Sequence, residues 1–207
     1  VLVAAAPIAL ATAQRQPGAA ARLVFAVVAP GLIIAADRIV RDDPGGLGWP
    51  AAAGLLIVSA LIGRGVLCAR GGVVRSAVVS LAVTGVLVVA MRAAYAAYGF
   101  DLPVGPAGGP WIPWLLVNVL RGTAVEAWLR GAVYVRAVPL GGWPLAVLLP
   151  TALGVAIHAG MPQEIVFWHL FTGVAFGVVR WWTGDAIGLG PARGLGDAVV
   201  ASLVSLR

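Results

Sequence analysis

Apolar runs of 13 to 28 residues, broken by short clusters of Arg, Asp, Gly and Pro, divide the 207-residue chain into about eight segments. They fall near residues 1–13, 23–36, 47–63, 76–91, 111–138, 143–159, 163–182 and 187–206. The runs are too long and too uniform for the strands of a barrel. Backbone groups in lipid must be satisfied within their own segment, so the pattern predicts helices. Several runs are shorter than the roughly 20 residues of a perpendicular crossing. The chain holds 28 glycines, which suits close helix packing, and Gly173-x-x-x-Gly177 is a small-residue pair of that kind. The expected fold is all-α: a polytopic integral membrane bundle of about eight transmembrane helices, with no sequence repeat, linker or soluble domain.

Composition removes the alternatives. The hydrophobic fraction is 61%, mean hydropathy is +0.99 and only 11% of residues are charged. A soluble domain covers its surface with roughly 25% charged residues, so a water-soluble fold is excluded. The single cysteine, Cys68, leaves no intrachain disulfide. The net charge of +6 comes from Arg scattered between apolar runs, which points to membrane topology and away from nucleic acid. One set of alternate loops carries Arg15, Arg22, Arg64, Arg70, Arg75, Arg136 and Arg180, the other Arg38, Arg41, Arg92 and Arg207. Seven against four predicts that the first set is cytoplasmic. Tyr95 to Pro113, with Tyr98, Trp111 and a Gly/Pro-rich loop, then reads as an outer interfacial turn. No secretory signal is expected, because the first apolar run is followed by more of the same kind. Abundant Ala, Val and Gly with no Lys suits a GC-rich genome, and the expected location is a bacterial plasma membrane.

A charge at the centre of a membrane helix costs on the order of 2.5–3.5 kcal/mol, so each one asks for a reason. The second half concentrates them: Arg121, Glu126 and Arg130 in RGTAVEAWLRG, then His158, Glu164, His169, Arg193 and Asp197. Any site is expected within residues 121–197. Glu126 and Arg130 are four apart and share a helix face, as do Arg193 and Asp197. The stretch Pro139–Trp143 predicts a turn centred on Gly141 and Gly142, with Glu126 15 residues before Gly141 and His158 16 after Gly142. Equal distances from a hairpin turn mean equal depth. A carboxylate and an imidazole are thereby expected to meet, the pair needed to activate a water. Structural readings stand beside these. The two i, i+4 pairs can be compensated ion pairs, His158 an interfacial histidine and His169, among Phe167, Trp168 and Phe171, a packing residue. Glu164 follows Pro162 in a first helical turn, where a carboxylate favours the macrodipole. No Cys/His cluster has metal-ligand spacing, so neither metal nor cofactor is expected. No serine or cysteine has a neighbouring base in the apolar runs.

These residues carry a resemblance. Residues 110–207 resemble the CPBP family, the intramembrane CAAX proteases and bacteriocin-processing enzymes also called the Abi family. Its E-E-x-x-x-R motif, followed by Gly, is similar to VEAWLRG at 125–131, where Glu126, Arg130 and Gly131 match and Val125 replaces the first Glu. Its F-x-x-x-H is similar to GVAIH at 154–158, where His158 matches and Gly154 replaces the Phe. FTGVAFGVVRWWTGD, residues 171–185, resembles the family's Gly-x-x-x-Gly helix and Thr-Gly turn. Arg193 and Asp197 then stand where the family places its second His and its Asn. The resemblance implies two parts, N-terminal transmembrane helices of unassigned role over 1–110 and a CPBP-like core over 111–207. It also implies an endopeptidase-like protein with an incomplete motif. Glu126 and His158 would activate water, Arg130 would order the Glu, and Arg193, paired with Asp197, would face the developing negative charge. The alternative is an inactive pseudoprotease that binds or scaffolds. Either way the expected partners are the lipid bilayer and a membrane-associated peptide or protein, with no nucleic acid.

Overall fold

Proline and glycine set where the helices start and break. In a computed structural model that describes residues 15–41, 48–62, 72–97, 111–161 and 163–204, every regular element is helical. α1 spans Pro17–Arg41, α2 Trp49–Ile62, α3 Val73–Ala97 and α4 Trp111–Glu126. A π-helical segment, Ala127–Val133, continues α4 into α5, Tyr134–Ala156. α6 is Gln163–Thr183 and α7 is Leu189–Val204. Pro17 opens α1 at a position where its missing N–H costs nothing. Pro30, further along α1, removes the donor that would bond the Ala26 carbonyl. Trp128 fills that gap: its Nε1–H donates to Ala26 O at 2.8 Å.

The expected turn is where the spacing placed it. α5 breaks at Gly141 and Gly142, flanked by Pro139 and Pro144, and Gly142 takes a positive φ of 64° that suits glycine. The chain reverses there. A Cβ added to Gly154, twelve residues past Gly142, would lie 3.3 Å from Leu129 Cδ1, twelve residues before Gly141. The two limbs are therefore antiparallel and in register.

Among the described residues, four helical stretches are long and apolar enough to cross a membrane: Pro17–Ile39, Val73–Ala94, Ile112–Ala156 and Gln163–Thr183. The third, 45 residues long, contains the Gly141–Gly142 reversal. This corrects the expectation of eight spans. Segment 1–13 lies outside the described residues, as do most of the Tyr95–Pro113 turn and Cys68. The segment expected at 47–63 folds as a helix of 14 residues and that at 187–206 as one of 16. At 1.5 Å per residue these are about 21 and 24 Å long, short of a hydrocarbon core of about 30 Å. The long helices turn apolar side chains outward, among them Val24, Leu32, Val86 and Leu116, a surface suited to lipid.

The halves on either side of residue 110 interleave. α1 and α2 share one apolar cluster with α4 and the π segment, including Ala26, Leu55, Val125, Trp128 and Leu129. Along α3, Ser76, Ser80 and Thr84 recur every four residues and so share a face. Ser76 donates to the Asp185 carboxylate, Ser80 reaches Gly188 O at 3.1 Å and Thr84 reaches Ala192 O at 3.4 Å. This polar seam joins α3 to the start of α7.

Candidate functional site

Four charged side chains from three adjoining segments form one chain of contacts in the core. Glu126, the last residue of α4, is 0% exposed, and its two oxygens face different guanidinium groups. Oε2 lies 3.4 Å from Arg130 Nε and Oε1 lies 3.3 Å from Arg193 Nη1. Arg193 Nε donates in turn to Asp197 Oδ2 at 2.9 Å. Both i, i+4 spacings expected from the chain thus become ion pairs, and Arg193 links them. The formal charges along Arg130, Glu126, Arg193 and Asp197 cancel. A buried cation and a buried anion each cost several kcal/mol unless paired, so alternation of sign is what lets Arg130, Glu126 and Arg193 share a core, with Asp197 at its edge.

Hydrogen bonds fix the rest of the network. Arg130 Nη2 donates to Gly173 O at 2.5 Å, and Arg180 Nε donates to Arg130 O at 3.1 Å. Arg193 also donates to Thr172 Oγ1 at 3.3 Å and, through Nη2, to His169 Nδ1. Asp197 Oδ1 accepts from Trp168 Nε1 at 2.7 Å. Asp197 is the exposed end of the network: its side chain is 28% accessible, against 1% for Arg193. Arg130 and Gly131, both matched in the resemblance, lie in the π segment, where Tyr134 N–H bonds Leu129 O. Such bulges widen a helix locally and occur often at functional sites.

His158 reaches this network only indirectly. It stands in the turn after α5, where its Nδ1 is 2.7 Å from Gly154 O. A carbonyl can only accept, so Nδ1 carries the proton and Nε2 is left as the free nitrogen. Burial pushes the imidazole down to about 4, so it is neutral at physiological pH. Its ring stacks on His169 with centroids 3.4 Å apart and planes 22° apart. Arg38 of α1 donates to Ile157 O and ties down the same turn, so the N-terminal half also helps position His158.

The expected meeting of Glu126 with His158 takes a different form. No hydrogen bond joins them, and the polar path between them runs through Arg193 and His169. The hairpin equalises depth, but direction around the helix is a separate matter. Val125, one residue earlier, belongs to the apolar cluster that takes in Leu153 and Ile157 on the second limb. One residue is a rotation of about 100°, which turns Glu126 away from that limb and toward α6 and α7.

His169, expected as a packing residue, is instead central: it is buried and joins Arg193 to His158. The signal available for it was the glycine stripe. Gly173 and Gly177 mark the packed face of α6, where Cβ atoms would meet Thr151 and Val147 of α5. One turn back along that face lies His169. Glu164 lies in the first turn of α6 as expected. Among the described residues no group of three or more His, Cys, Asp or Glu converges.

Set against known proteins, the chain matches no family model, no curated protein and no solved structure.

Proposed function

We propose that this is a CPBP-like membrane protein that holds a membrane-associated peptide at its polar centre without cleaving it. The observation that carries this reading is the state of Glu126, fully buried with each oxygen on a guanidinium, while position 125 is an apolar Val. A general base must lie within hydrogen-bond reach of the proton it takes, or one water away. Glu126 turns neither oxygen outward. What the network does offer is Asp197, partly accessible and held in place by Trp168 and Arg193. An oriented carboxylate at the edge of an apolar bundle suits a cationic group on a peptide, a Lys or Arg side chain or an amino terminus.

A second reading is favoured by His158. Its Nδ1–H is anchored on Gly154 O, which leaves Nε2 free to take a proton from water, with Arg193 nearby to face an oxyanion. In that reading the chain is an intramembrane endopeptidase, and Glu126 positions Arg193.

The binding reading predicts that the protein in lipid nanodiscs retains a single-span peptide carrying one flanking Lys. Asp197→Asn keeps an acceptor for Trp168 but removes the charge, and should weaken retention about tenfold, the low end for a hydrogen bond to a charged group. Replacing the peptide's Lys with Leu should do the same to the wild type and nothing further to Asp197→Asn. Equal retention by the wild type and Asp197→Asn, at matched thermal stability, would overturn the assignment of Asp197.

A further inference from the structure

At the arginine-rich end of the bundle, away from the ion network, a cavity of about 390 Å³ lies between α1, the end of α2 and α5. Ala21, Arg22, Phe25, Ile62 and Arg136 line it. Among the described residues its two polar side chains are both guanidinium groups, and no carboxylate lines it. Arg136 is held in place, since its Nη2 donates to Ile62 O at 2.7 Å, one of the end carbonyls that α2 cannot satisfy itself. Arg22 is exposed and makes no hydrogen bond or ion pair among the described residues.

Below the two cations the surface turns apolar. Phe25, Val28 and Leu32 of α1 are 60%, 50% and 65% exposed, and their spacing of three and four residues puts them in one line along the helix. That line runs from Arg22 toward the middle of the bundle. Trp143, just past the Gly141–Gly142 turn, stacks on Trp181 at 5.5 Å, and Arg75 lies 4.1 Å over Trp182. Tryptophan and arginine together at one end mark the level of a membrane–water interface.

We infer that this cavity is a binding site for an anionic phospholipid, its phosphate between Arg22 and Arg136 and an acyl chain along Phe25, Val28 and Leu32. Two positive charges, one of them anchored, with no counter-charge among the described residues call for an anion. The apolar line leading from them selects an amphipathic anion over free phosphate. Basic pockets between membrane helices on the cytoplasmic side take anionic head groups in this way, with each Arg near the surface worth about 1 kcal/mol, or about fivefold.

The full chain, extracted from vesicles of equal parts phosphatidylglycerol and phosphatidylcholine, should retain phosphatidylglycerol in preference, as read by native mass spectrometry. Arg22→Gln breaks no hydrogen bond or ion pair among the described residues, so it should leave thermal stability unchanged and lower retained phosphatidylglycerol about fivefold. Arg75→Gln removes an equal charge from the same end and should leave retention unchanged. Equal retention of the two lipids would overturn the proposal. So would an equal loss in Arg75→Gln, which would show diffuse surface charge. Displacement of the lipid by inorganic phosphate would show a site for a free anion instead.

Discussion

Glu126→Gln should lower the stability of the bundle by about 3–5 kcal/mol, the cost of leaving a buried charge without its partner. The side chain keeps its shape, so the loss is electrostatic. Arg130 and Arg193, each 1% exposed, would both lose the anion between them. Arg193 retains Asp197 at 2.9 Å, whereas Arg130 is left with Gly173 O at 2.5 Å as its hydrogen-bond acceptor. Thermal unfolding in detergent measures the effect. The double variant Glu126→Gln with Arg130→Met should recover part of the loss, because the unpaired cation leaves with its counter-charge. Wild-type stability in the single variant would show that the three groups are not paired in the folded protein.

Gly194→Val should be comparably damaging for a steric reason. α4 and α7 approach so closely that side chains are excluded from the contact. A Cβ at Gly194 would lie 2.5 Å from Val119 Cα and 2.6 Å from the Asn118 carbonyl carbon. On the facing helix, a Cβ at Gly122 would lie 2.6 Å from Gly194 Cα and 2.7 Å from Gly190 O. These neighbours are backbone, so no rotamer change relieves the clash and the helices must separate. Overpacking of this kind costs about 1–3 kcal/mol, and the larger Val takes it to the upper end. Separating α7 from α4 would also pull Arg193 off Glu126. Gly85→Ala is the matched control: nothing lies within 4 Å of its Cβ, so stability should hold or rise by up to about 1 kcal/mol. Equal melting temperatures for the two variants would contradict the packing.

Much of the architecture was legible from local pattern. Apolar runs located the described helices, and Pro139, Gly141, Gly142 and Pro144 located the reversal, because a backbone break is a local event. Crossing length was less legible. The run at 47–63 is 17 residues long, and the helix inside it has 14. Among the charged residues, i, i+4 spacing correctly paired Glu126 with Arg130 and Arg193 with Asp197. The joint between the pairs was not readable, since it depends on how α4 and α7 face each other across their glycines. Depth counting placed Glu126 level with His158, yet depth carries no information about rotation, and Val125 faces the apolar cluster instead. Trp128 on Ala26 O was hidden for a related reason. The missing donor at Pro30 is visible in the chain, but the helix that supplies a replacement is not.

Cleavage is the most direct test of whether the polar centre holds a peptide or cuts it. The wild-type protein in proteoliposomes is incubated with a single-span, Lys-flanked peptide, and the peptide is then recovered and weighed by mass spectrometry. The peptide should come back bound and intact, because neither oxygen of Glu126 is open to a water. Cleaved peptide from the wild type, with cleavage lost in His158→Ala and folding retained, would contradict the account and establish the endopeptidase reading in its place.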